Sequence, residues 1–83
     1  MARTSSAAAA HIGSRISETR KTRSMSVDEL AVASRIDSSN IRGYEAGRGL
    51  TSVHSLVRIA EALKVDPGSL LEGVTSEMFT NER

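Results

Sequence analysis

A chain of 83 residues allows one domain with a small core, and a fold of that size is marginal unless a second copy helps to close it. It has no cysteine, which excludes disulfides and thiolate metal sites, and its one Tyr and one Phe leave no aromatic platform on which single strands of nucleic acid stack. The net charge is only +1, yet residues 1–48 carry 8 basic and 5 acidic side chains while residues 49–83 carry 3 and 5. That skew suits a phosphate-facing first half, although an excess of three charges also arises by chance.

Residues 1–10 read as a flexible arm, small and polar over 1–6, and the start of the first helix. Arg3 on such an arm either reaches DNA or touches nothing. The alanines at 7–10 extend the helix backwards, with Ser5 or Ser6 as its cap. Ile12 and Ile16 form its inward stripe, Thr19 and Arg20 continue it, and Lys21 and Arg23 bring cations to its C-terminal end. The spacing predicts a helix over 7–23.

Two short helices follow, over 27–34 and 38–45. Ser26 and Glu29 form a capping box, and Met25 with Leu30 can close a hydrophobic staple. Asp37 caps the next helix after a turn of about three residues, the length of a helix-turn-helix turn. Leu30 and Ala31 face inward, Ile36 plugs the turn, and Ile41 and Tyr44 share the buried face of the second helix. Ser38, Ser39, Asn40, Arg42 and Gly43 are left facing out, a set of short polar groups with one long cation.

Gly47 ends that helix with positive φ, and Arg48 sits in a glycine-flanked loop. Ser52 caps a fourth helix over 52–63, in which Val53, Leu56, Val57, Ala60 and Leu63 make a buried stripe widened by Ile59. His54 lies alone on its polar side. Asp66-Pro67 opens a short fifth helix over 67–72. Residues 73–83 form a tail whose apolar side chains Val74, Met78 and Phe79, with Leu71, either pack on a second subunit or fray.

No apolar run approaches the roughly 20 residues of a membrane span, and the alanine run is too short for a signal peptide. There is no nucleophile–base constellation, no metal-ligand spacing, no phosphate-cradling glycine loop and no repeat. The expectation is a cytoplasmic non-enzyme with no cofactor, no small-molecule ligand and no membrane partner.

Residues 12–72 resemble the Cro/cI-type (Xre) helix-turn-helix domains. The matching residues are Ile12-Gly13, Arg15-Ile16, Arg20, Ser26, Glu29-Leu30-Ala31, Ile41, Glu45, Gly47, Leu56, Ile59-Ala60 and Leu63. The segment from Ile36 to Gly47 is also similar to the recognition region of restriction–modification controller proteins. The resemblance implies an all-α, five-helix domain over 11–72 that binds double-stranded DNA. Ser38, Ser39, Asn40 and Arg42 would read base edges, and Arg20, Ser26 and Arg48 would contact phosphates. It also implies a largely buried ion pair between Arg20 and Glu45. A homodimer joined through Leu71, Val74, Met78 and Phe79 would bind a palindromic operator. Four positions depart from the family pattern: Val27 stands for the usual Gln, Arg35 for the turn Gly, Thr19 for Leu and Thr51 for a frequent Pro. A non-glycine residue in a left-handed turn costs roughly 1–2 kcal/mol, so Arg35 predicts a strained or reshaped turn. The competing function is an antitoxin or adaptor-type module that uses the same fold to bind a protein.

Overall fold

A computed structural model of the protein describes residues 6–79. The regular structure is helical: α1 (Ala7–Thr22), α2 (Val27–Ser34), α3 (Ser38–Glu45), α4 (Val53–Leu63) and α5 (Pro67–Leu70), followed by a 3₁₀ turn at Ser76–Phe79. The caps set these boundaries. Ser6, Ser26 and Ser52 each accept a hydrogen bond from the amide three residues on, and Glu29 completes a capping box with Ser26. Arg35 and Lys64 end α2 and α4 in the left-handed conformation. Among the described residues no helix is long and apolar enough to cross a membrane.

The core runs through every helix: Ile12 and Ile16 of α1, Leu30 of α2, Ile36 of the turn, Ile41 of α3, Leu56, Ile59, Ala60 and Leu63 of α4, and Leu70 of α5. α1 packs on α3, α2 lies against α3 and α4, and α5 closes onto α4 and α1.

α1 starts at Ala7, where the spacing places it, and Ala8 and Ala9 are fully or almost fully buried, so it belongs to the packed domain from its first turn. Arg3 lies outside the described residues. Three expectations change. Val53 does not join the buried stripe; it is 79% exposed at the first position of α4. Val74 is not wholly spare for a second subunit, because it is half-buried against this chain's own core. Residues 69–72, just before the tail, are tied to α1 by polar contacts. His11 Nε2 donates to the Glu72 carbonyl at 2.6 Å, and Arg15 donates to the Ser69 carbonyl at 2.9 and 3.2 Å. The fifth helix ends at Leu70, two residues short of the predicted end.

Candidate nucleic-acid interface

α3 has one fixed face and one open face. On the fixed face Ile41 is fully buried and Tyr44 packs on the core. The neighbouring α1 comes close enough that a Cβ added at Gly13 would stand 2.0 Å from the Tyr44 carbonyl oxygen. Only a glycine permits that backbone approach. The loop after α3 is seated in the same way: Gly47 has φ +75°, and a Cβ there would meet the Ala10 Cα at 2.9 Å. Ala10 of α1 is thus the small surface on which this loop rests.

An ion pair completes the anchoring. Arg20 donates from Nε to Glu45 Oε2 at 2.7 Å and from Nη2 to Glu45 Oε1 at 2.9 Å, while its Nη1 donates to the Met25 carbonyl at 2.8 Å. The two side chains are only 11% and 12% exposed. The hydrogen bonds that Arg20 donates to the Glu45 carboxylate raise the Arg20 pKa above its already high ordinary value, against the opposing effect of burial. Arg20 therefore stays charged, and α3 is bolted to α1 at its C-terminal end as well as its middle.

The open face carries Ser39, Asn40 and Arg42, all exposed, with Ser38 half-buried at its edge. Arg42 reaches toward α2, its Nη2 lying 3.5 Å from Asp28 Oδ1, with both side chains largely in solvent. Water competes well for such a pair, so Arg42 can leave Asp28 for another acceptor. Ser26, at the start of α2, is exposed; its oxygen caps the Glu29 amide at 3.0 Å and its hydroxyl proton can still be donated outward. Arg48 is exposed in the loop after α3. The arrangement is a rigidly held helix eight residues long, about 12 Å at the usual rise, with a polar face turned outward.

A helix-turn-helix family model matches residues 16–70. The chain belongs to the helix-turn-helix family. Its structure is similar to that of the restriction-modification controller protein C.AhdI from Aeromonas hydrophila, with a TM-score of 0.73 and 31% identity, covering 75% of this chain and 94% of that one. It is also similar to the clp gene regulator ClgR from C. glutamicum, with a TM-score of 0.73 and 25% identity over 76% and 82% of the two chains. A third similar structure is SinR, the master regulator for biofilm formation, in complex with DNA, with a TM-score of 0.70 and 29% identity over 74% and 98%. No curated protein matches the sequence.

Within the helix-turn-helix pair, α2 is the first helix and α3 the second. Each of the three Arg20 nitrogens donates to a group inside the chain, so only the second N–H of Nη1 and of Nη2 is left for the phosphate contact given to it by sequence. Ser39 is also altered: its hydroxyl donates to the Asp37 carboxylate, which leaves its oxygen to accept rather than donate. Asp37 in turn makes no capping bond to α3. Sequence reasoning did not find Arg58 of α4, which donates to the carbonyls of Ser34 and Arg35 in the helix-turn-helix turn. Its signal was faint, an Arg placed among the apolar positions of a helix and 23 residues beyond the turn.

Proposed function

We propose that the chain is a transcriptional regulator that binds duplex DNA by sequence, with α3 entering the major groove. The observation that carries the reading is the division of α3 into a face locked to α1 and a face of exposed polar side chains beside the amino end of α2. A helix about to read base edges needs that rigidity, since bidentate contacts depend on placement. Arg42 is the strongest candidate for a guanine contact, Asn40 for adenine, and Ser38 and Ser39 for shorter contacts nearby. Ser26 and Arg48 flank α3 and would position the phosphate backbone. The structure of SinR in complex with DNA is consistent with this use of the family's fold.

One such helix covers only a few base pairs, so the reading includes a homodimer on an inverted repeat, with half-sites about 34 Å apart. Selection of bound duplexes from a random pool tests it. A palindromic consensus whose binding weakens steeply with salt is the expected result. No enrichment, together with binding insensitive to salt, would reject it. The protein-binding alternative draws on the 40% and 45% exposure of Leu71 and Phe79, and the same salt titration separates the two.

A further inference from the structure

The turn between α2 and α3 sets the angle between the two helices, and its backbone is in an uncommon conformation. Arg35 caps α2 at φ 61° and ψ 37°, in the left-handed region where a Cβ crowds the following carbonyl. A helix end also leaves carbonyls without intrahelical partners. The chain covers the earlier ones locally: the Arg35 amide donates to the Ala31 and Val32 carbonyls, and the Ile36 amide to Ala31. The carbonyls at the turn itself are covered from a different element. Arg58 of α4 donates from Nε to the Ser34 carbonyl at 2.9 Å and from Nη2 to the Arg35 carbonyl at 2.6 Å.

A planar guanidinium presents donors in a fixed fork, so one side chain holds two successive carbonyls in a set orientation. Its positive charge also sits at the C-terminal, negative end of the α2 dipole. Both effects favour the one turn shape in which Ser34 and Arg35 point their carbonyls at α4. Ile36, the next residue, is the buried plug of the turn, so a change of shape there would be passed directly to α3.

We infer that Arg58 is a positioning residue for α3: it latches the left-handed turn at Arg35 and so fixes the angle at which α3 meets DNA. The DNA part of this inference rests on the function proposed above; the latch itself does not. Arg58 touches the turn and, in this scheme, no nucleic acid.

The test uses Arg58→Gln, Arg58→Lys and Arg35→Gly, singly and combined, in the full chain. In the free protein, amide hydrogen exchange at Arg35 and Ile36 should speed about tenfold in Arg58→Gln, the scale of one lost charge-assisted hydrogen bond. The Ile59 and Ala60 amides of α4 should keep their protection. Affinity for the selected duplex should fall about tenfold, and Arg58→Lys should recover only part of it, because an ammonium cannot hold both carbonyls in one plane. Adding Arg35→Gly to Arg58→Gln should return affinity to that of Arg35→Gly alone, since glycine keeps the left-handed turn without help. Unchanged exchange at the turn overturns the latch whether or not the protein binds DNA. Equal losses on selected and random duplexes, with no rescue by Arg35→Gly, would instead make Arg58 a phosphate contact. If altered exchange appears while the wild-type protein binds no duplex, the latch stands and the DNA-binding reading falls. Should Arg58→Gln fail to fold, the comparison of Arg58→Lys with its Arg35→Gly combination decides the same question.

Discussion

Arg42 and Arg48 are both exposed cations near α3, and their positions predict different behaviour. Arg42 sits on the open face of the helix, in a long contact with Asp28. Replacing it with Ala should lower affinity for the selected site by about 1–3 kcal/mol and relax preference at one base position. A binding profile unchanged at every position would remove Arg42 from the base-reading set. Arg48 follows the helix in a loop, so Arg48→Ala should weaken binding to all sequences alike and reduce the slope of log affinity against log salt by about one. A loss confined to one sequence would make it a base reader. The outward set was legible because helical spacing assigns faces once Ile41 and Tyr44 are taken as buried. The Ser39–Asp37 hydrogen bond was not, because the same residues equally allow Asp37 to cap the helix amides. Nor was the engagement of all three Arg20 nitrogens, which depends on where the Met25 carbonyl points.

The joint between α1 and α3 is where an element-scale change should matter most. Gly13 is the point of closest approach, with the Tyr44 carbonyl oxygen 2.0 Å from where a Cβ would stand. Gly13→Ala must therefore push the helices apart, at a cost of about 3 kcal/mol, the upper end for overpacking, and a thermal melt should show it directly. Curves that superimpose on the wild type would mean that α1 and α3 can separate without loss. Glu45→Gln acts on the same joint by charge. Arg20 keeps its proton at every ordinary pH, since its pKa is raised rather than lowered, so the mutant leaves a mostly buried cation with only a neutral acceptor. The expected loss is about 2–3 kcal/mol, and chemical denaturation measures it. The helices themselves were readable from their caps and periodicity, including the glycine that ends α3. Val53 shows the limit of periodicity. Spacing gives its angle around α4, in line with Leu56 and Ala60, but not whether another element reaches the first turn, and none covers it.

At the scale of the whole molecule the proposed homodimer requires a surface through which two copies meet. The domain measures 37 × 24 × 21 Å, a size that lets one copy occupy each half-site of an inverted repeat spaced by about 34 Å. The sequence offers four apolar residues after the last core helix, and the structure divides them. Val74 is half-buried against the chain's own core, Met78 is half-buried and accepts a hydrogen bond from the Thr75 amide, while Leu71 and Phe79 stay 40% and 45% exposed. Removing the whole tail would therefore confuse two effects, loss of self-association and loss of core packing. Point changes at the exposed pair avoid this. Leu71→Gln with Phe79→Gln should leave the melting temperature of the dilute protein nearly unchanged, because neither side chain is buried in the single chain. The same protein should sediment as a lighter species at concentrations where the wild type self-associates. Its binding to a full inverted repeat should weaken toward that of an isolated half-site, while half-site binding itself is unaffected. The contrast between full and half-site isolates the contribution of pairing from that of α3. Undiminished self-association in this double variant would move the interface elsewhere, and the exposed first turn of α4, with Leu50 and Val53 at 48% and 79% exposure, is the next surface to test.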